Sequence, residues 1–253
     1  MTNKEIKSIL EALPAESQYN YTCKFETNYQ LNIEKLNLPS YNDQKTIKYN
    51  ALYLMDPVGD DYTNNNDPPN IKYAMFVYDE NNEDESDNEL YLVIGQNPSR
   101  SSKKNIDGTN QNIYKALLSN NIHRYLLLNT FPIIDPDGAN SKDLLKTDEN
   151  IKITQQIIKC LREKSAIKII YACGSSLPVY SKFIETLNTL INTYKIKTYA
   201  FVNGSELQTH LSMQALNSKP ITPDSLKLVE CKIEVIQPDE FKTVKFIKGD
   251  RQC

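Results

Sequence analysis

The stretch LYLVIGQNPS, residues 90–99, decides the fold, because a short apolar run there ends in a polar turn. Residues 90–95 are mostly branched or aromatic, and the turn Gly95-Gln96-Asn97-Pro98-Ser99 closes the run. Such a run bounded by turn-forming residues predicts a buried strand. The run IKYAMFVY, residues 71–78, predicts another strand, and the acidic segment between the two runs predicts a solvated hairpin loop.

Beyond this turn, apolar runs alternate with longer segments of helical periodicity. The pattern predicts strands at 125–128, 167–172 and 197–202 and helices at about 110–119, 150–163 and 177–194. Because parallel strands need crossover connections, the alternation predicts an α/β fold, a three-layer sandwich with a central, mostly parallel sheet.

The predicted α/β domain covers residues 71–253, with its core at 71–216. Its tail, 226–247, alternates between apolar and polar residues and predicts a late strand or two. Residues 1–70 are interpreted as an N-terminal elaboration, with a helix over 3–13 that ends before Pro14. The remainder of this elaboration, rich in Tyr and Asn, gives no clear pattern.

The charge of the chain is nearly balanced but unevenly distributed. Its 253 residues include 29 Lys and Arg against 32 Asp and Glu, which excludes nucleic-acid binding by bulk charge alone. Residues 1–150 carry 14 basic and 23 acidic residues, a net of −9, and the remainder carry 15 and 9, a net of +6. Seven of the acids lie in the segment 79–89. A local basic face in the C-terminal half therefore stays compatible with DNA binding.

Five cysteines at scattered positions argue against a disulfide framework, a zinc site and an iron–sulfur cluster. No apolar run is long enough to span a membrane, and no secretory signal is visible at the N-terminus. We therefore expect a cytoplasmic protein without a membrane partner.

Ligands of an open parallel sheet bind beyond the carboxyl ends of its strands. The residues that follow the predicted strands are polar and turn-forming: Gly95 to Ser99, Asn129-Thr130, Cys173-Gly174 and His210-Leu211-Ser212. A Cys173 nucleophile with His210 as its base is one interpretation of this set. The GQNPS turn lacks the glycines and the Lys-Ser/Thr pair of a phosphate-binding loop, and no GxSxG elbow indicates a serine hydrolase.

The order of these segments resembles the motif series of the uracil-DNA glycosylase superfamily. That series has a GQ[DN]P turn, a strand ending in LLN, a strand ending in a bulky residue and Gly, and a His-containing HPSPLS-like loop. Here the matching segments are GQNPS at 95–99, LLLNT at 126–130, IIYACG at 169–174 and HLS at 210–212. The same region also resembles a poorly characterised bacterial family in which a strand ends in NPS and a D-x-T element follows, here Asp107-Gly108-Thr109.

The resemblance implies a DNA glycosylase, which flips a nucleotide out of the stack and hydrolyses its N-glycosidic bond without a metal or cofactor. By resemblance, Asn97 orients the water, Asn129 reads a uracil-like base, and His210 stabilises the departing base. Asp107 is a candidate for the carboxylate that Asn97 does not supply.

Other residues around these positions complete the predicted site. Base contacts are expected from Gly95, Gln96, Pro98, Ser99, Thr130 and Gly174, and DNA contacts from Arg100, Lys103, Lys104, Leu211, Ser212 and Met213, with Leu211 or Met213 as the wedge. The His loop lacks the prolines of the superfamily, which favours an unusual target such as a modified pyrimidine in foreign DNA. That target suits DNA repair or antiviral defence.

Two other functions stay open on the sequence. One is a non-catalytic module that keeps the fold and binds nucleic acid or a protein. The other is a hydrolase of free nucleosides or nucleotides, which a chain without a large basic charge also suits.

Overall fold

The computed structural model describes residues 1–16, 21–34, 45–55, 71–79, 89–96, 98, 108–133, 147–173, 181–204, 206–208, 211, 222–236 and 243–248. Within these residues the helices are α1 (Asn3–Glu16), α2 (Gly108–Leu118), α3 (Thr147–Arg162) and α4 (Ser181–Tyr194). The strands are β1 (Thr22–Asn32), β2 (Thr46–Met55), β3 (Lys72–Asp79), β4 (Glu89–Gly95), β5 (Arg124–Asn129), β6 (Ala166–Tyr171), β7 (Lys197–Asn203), β8 (Glu206–Gln208), β9 (Lys227–Ile236) and β10 (Thr243–Lys248). None of these described helices is long and apolar enough to cross a membrane.

The α/β class is confirmed, but the sheet is not mostly parallel. Its order is β1-β2-β3-β5-β4-β6-β7-β9-β10, with β8 paired to β7. Only the neighbours within β5-β4-β6-β7 run parallel, and the other described pairings are antiparallel. The crossover helices account for the parallel centre, while the strands outside it extend the sheet on both sides by antiparallel pairing.

The predicted hairpin between the first two core strands is wrong. Strand β5 lies between β3 and β4, antiparallel to β3 and parallel to β4. The acidic segment therefore joins two strands that are not neighbours. Most of this segment, residues 80–88, lies outside the described residues.

Helices pack on both faces of the sheet, because successive strand residues point to opposite sides. Leu92 and Ile94 of β4 join the core cluster that α1, α3 and α4 cover, whereas Val93 joins the cluster beneath α2. Helix α3 packs on the sheet through one apolar face, because Ile151, Ile158 and Leu161 recur at helical spacing and are buried.

The N-terminal region is part of the same sheet, which the sequence pattern did not reveal. Strands β1 and β2 pair with each other, and β2 pairs with β3. Their tyrosines pack toward α2: Tyr29 stacks on Tyr49 at 5.4 Å between ring centroids, and Tyr49 meets Tyr114 edge-on at 5.1 Å. Aromatic pairs in these geometries stabilise a core beyond their buried area.

Helix α1 begins with a capping box. The Glu5 N–H donates to the Thr2 hydroxyl at 3.2 Å, and the Thr2 N–H donates to the Glu5 carboxylate at 2.7 Å. These bonds lower the pKa of Glu5. The helix does not end before Pro14 but continues to Glu16. A proline in the last turn costs one intrahelical bond, which the packing of Leu10 and Leu13 in the core offsets.

Candidate functional site

The carboxyl ends of β4 and β5 lie side by side and form the best-defined candidate site. Gly95 ends β4 and pairs in register with Asn129, which ends β5. The contact continues beyond both strands: the Thr130 N–H donates to the Gly95 carbonyl at 3.0 Å, and the Phe131 N–H donates to the Gln96 carbonyl at 2.9 Å. These bonds hold the two strand ends next to each other. Both ends lie at one edge of the sheet, as the sequence predicted.

The side chain of Asn129 packs against Gly95. A Cβ atom built on Gly95 would lie 2.5 Å from Asn129 Oδ1, closer than real Cβ contacts. Glycine is therefore needed at position 95 for Asn129 to hold this position. Asn129 is buried, with 4% of its surface exposed, and its side-chain amide forms no hydrogen bond with any residue that the structure describes. An amide in that state offers one donor and one acceptor to a ligand.

Thr130 holds the turn together. Its hydroxyl donates to the Gln96 carbonyl at 2.8 Å, and the residue is completely buried. The Thr130 hydroxyl, for which a base contact was predicted, therefore binds the main chain of Gln96 in this structure. Gln96 and Pro98 are also buried, on either side of Asn97.

Asn150, in the first turn of α3, is a residue that the sequence analysis missed. Its Nδ2 donates to the Asn129 carbonyl at 2.8 Å and approaches the Thr130 carbonyl at 3.4 Å. The residue has no exposed surface. An Asn 21 positions after Asn129 belongs to no motif, so no signal in the sequence marks it.

Leu211 does not match its predicted role as a DNA wedge. It has 1% of its surface exposed and belongs to the core cluster beneath α2. Its carbonyl accepts a hydrogen bond from Asn112 Nδ2 of α2 at 3.0 Å. A side chain packed in this core is not available to enter a DNA duplex, and the Leu211 carbonyl instead binds α2 through Asn112.

Cys173 is also unsuited to the role of nucleophile. It is completely buried after β6, and desolvation raises the pKa of its thiol from the ordinary 9.0 to about 12. The reactive thiolate is therefore scarce at neutral pH. Burial likewise raises the pKa of the neighbouring Tyr171 well above its usual value.

Other predicted site residues lie outside the described residues: Asn97, Ser99, Arg100, Lys103, Lys104, Asp107, Gly174, His210, Ser212 and Met213. Their roles stay predictions. Among the residues that are described, no three His, Cys, Asp or Glu side chains group as metal ligands would.

The acidic segment begins and ends far from this site. Glu89 starts β4, at the opposite end of the strand from Gly95. Its carboxylate lies 2.6 Å from Lys168 Nζ, and Lys168 also contacts the Tyr91 hydroxyl at 3.3 Å. Desolvation lowers the pKa of Lys168, but these contacts outweigh it and raise the pKa overall.

A comparison with protein families gives one match. The family described as "Protein of unknown function (DUF1643)" matches residues 79–211, more than half of the chain. The chain belongs to this family. The DUF1643 segment runs from the end of β3 to Leu211 and contains the candidate site with Gly95, Asn129 and Asn150. No curated protein and no solved structure matches the chain.

Proposed function

We propose that the protein is a DNA glycosylase that hydrolyses the N-glycosidic bond of a uracil-like or modified pyrimidine. The observation that carries the proposal is the Asn129 amide, which lies beside Gly95 at the carboxyl edge of two parallel strands and forms no bond with a described residue. Such an amide can pair with the edge of a pyrimidine, which also presents a donor and an acceptor side by side.

The architecture supports the same proposal. Four parallel strands form the centre of the sheet, and helices cover both of its faces. These features fit the three-layer arrangement of the uracil-DNA glycosylase superfamily, with the antiparallel strands on both sides as additions. In this proposal the candidate site at the ends of β4 and β5 would serve as the base pocket.

The chemistry would depend on residues next to the described ones. Asn97 lies between the buried Gln96 and Pro98, and His210 precedes the anchored Leu211. In the proposed reaction, Asn97 orients the attacking water and His210 donates a hydrogen bond to the leaving base, with Asp107 as a candidate carboxylate. Lys103 and Lys104 would contact DNA phosphates. A target base in foreign DNA would give the protein a role in defence.

Base release from defined oligonucleotides tests the proposal. The substrates contain uracil, mismatched thymine, hydroxymethylcytosine or glucosylated cytosine, and abasic sites are detected by alkaline strand cleavage. We expect cleavage at one of these bases and a loss of about 100-fold or more for Asn129→Ala, because removing a positioned hydrogen-bonding group costs this much in other active sites.

The matched control is Asn192→Ala, which removes the same side chain from an exposed position on α4. This variant is expected to cleave at the wild-type rate. The proposal is wrong if no substrate yields abasic sites, or if Asn129→Ala cleaves as fast as the control.

One observation favours a second function, a non-catalytic nucleic-acid-binding module. The described side chains of the site, Gln96, Asn129, Thr130 and Asn150, are all neutral amides or hydroxyls, so none of them can transfer a proton near pH 7. Tight binding of an oligonucleotide without base release, weakened by Asn129→Ala, would support this alternative.

A further inference from the structure

The first turn of α3 is tied to three other elements. The Asp148 carboxylate binds Lys182 Nζ of α4 at 2.6 Å, and the Glu149 carboxylate accepts a hydrogen bond from the Tyr73 hydroxyl of β3 at 2.8 Å. Asn150 donates to the carbonyls at the end of β5. These contacts connect the turn to α4, β3 and β5 beside the candidate site, and the bond between Asp148 and Lys182 lies on the surface.

The position of Asn150 excludes a direct contact with a ligand. The residue has no exposed surface, and its Nδ2 is directed at the main chain of Asn129 and Thr130. Its effect on the site must therefore pass through the peptide groups that it binds.

The bonds of the neighbouring peptide groups show what Asn150 adds. The N–H groups of Thr130 and Phe131 are bound to Gly95 and Gln96, which fixes one side of the turn. Asn150 binds the carbonyls of Asn129 and Thr130, which fixes the other side. With hydrogen bonds on both sides, rotation of the Asn129 main chain is restricted, so the direction of its side chain depends mainly on the torsions of the side chain itself.

We infer that Asn150 is a positioning residue, which holds the Asn129 amide beside Gly95 in the orientation that a ligand meets. This inference rests on the proposed function of Asn129. An amide suits the position because it donates without carrying charge. Its Oδ1 is buried and accepts no hydrogen bond from the described residues, so the side chain serves as a donor.

The first experiment needs no ligand. Protein labelled with 15N at asparagine gives signals for the side-chain amide of Asn129, which Asn129→Ala identifies by their loss. In Asn150→Ala we expect these signals to shift or broaden, while signals from distant asparagines stay in place. The control is Asn112→Ala, which removes a similarly buried amide that binds the Leu211 carbonyl from α2. Unchanged Asn129 signals in folded Asn150→Ala protein would overturn the inference.

A second variant covers the case in which Asn150→Ala does not fold. Asn150→Asp has the same shape but, when ionised, cannot donate to the two carbonyls. Burial raises the pKa of such a carboxyl, and its protonated form can donate again. The wild-type Asn129 signals should therefore return reversibly as the pH falls in Asn150→Asp. Native Asn129 signals at a pH where 13C NMR shows the introduced carboxyl to be ionised would contradict the positioning role.

Base release provides the functional test. Asn150→Ala should lower kcat/KM by roughly 10- to 100-fold, the scale of a small misplacement in an active site. In an Asn129→Ala background the same change should have little further effect, because the group being positioned is gone. Equal losses in both backgrounds would refute the inference. If wild-type protein releases no base, the proposed function fails, while the signals of Asn129 still decide whether Asn150 positions it.

Discussion

Gly95→Ala tests the packing at the centre of the candidate site. The new methyl group would lie 2.5 Å from Asn129 Oδ1 and 3.3 Å from Leu127 Cδ1. The backbone at Gly95 does not have a positive φ, so alanine adds no backbone strain there. The loss of stability should therefore come from these two contacts, while the lower entropy of alanine in the unfolded chain offsets part of it.

The magnitude follows from the distances. To restore an ordinary contact the Asn129 amide must move by roughly 1 Å, and its main chain is held by Asn150. Overpacking of this kind costs about 1–3 kcal/mol of unfolding free energy. In an Asn129→Ala background the closest contact no longer exists, and the remaining contact with Leu127 should cost less than about 1 kcal/mol.

Urea denaturation of four proteins measures this difference: wild type, each single variant and the double variant. We expect a coupling of at least about 1 kcal/mol, with the double variant less destabilised than the sum of the single changes. Under the proposed function, Gly95→Ala should also weaken base release, because it displaces the amide that is proposed to read the base. Additive losses of stability would refute the packing of Asn129 on Gly95.

Two further predictions concern the rest of the fold. Lys195 follows α4 with φ of 52°, so Lys195→Gly should raise the unfolding free energy by about 1 kcal/mol in urea denaturation, whereas Lys195→Ala, which keeps the strained backbone, should give no gain. Burial raises the pKa of Cys173 from 9.0 to about 12, so the thiol ionises at a lower pH in the unfolded state than in the folded state. Between pH 8 and pH 10 this difference should lower the unfolding free energy of the wild type by about 1.4 kcal/mol. Cys173→Ala should lose correspondingly less stability over this range, and an unchanged pH dependence would show that Cys173 is not buried.

Local patterns in the sequence predicted most elements of the described core. The apolar run at 90–95 and the helical spacing at 150–163 became β4 and α3, within a few residues at each end. These features depend on side chains close together in the chain. The strand order does not, because the insertion of β5 between β3 and β4 depends on pairing across long sequence separations.

Only part of the candidate site could be predicted, because some of its contacts join residues that are far apart in the sequence. Asn129 follows a strand and could be placed at the sheet edge, whereas Asn150 is brought there only by the packing of α3. Leu211 and Cys173 followed strands as well, but their burial depends on neighbours that no local pattern reveals. Strands β1 and β2 were missed because many of their inward residues are tyrosines, which also occur on surfaces.

The family match begins at residue 79, so it excludes almost all of β3, although β3 pairs with β5 along the parallel centre. A fragment restricted to residues 79–211 would leave the outer edge of β5 without its partner, and β9 would no longer cover β7. Exposed strand edges recruit other chains and promote aggregation. The antiparallel strands on both sides therefore cover the edges of the DUF1643 segment, and expression of this protein should retain them.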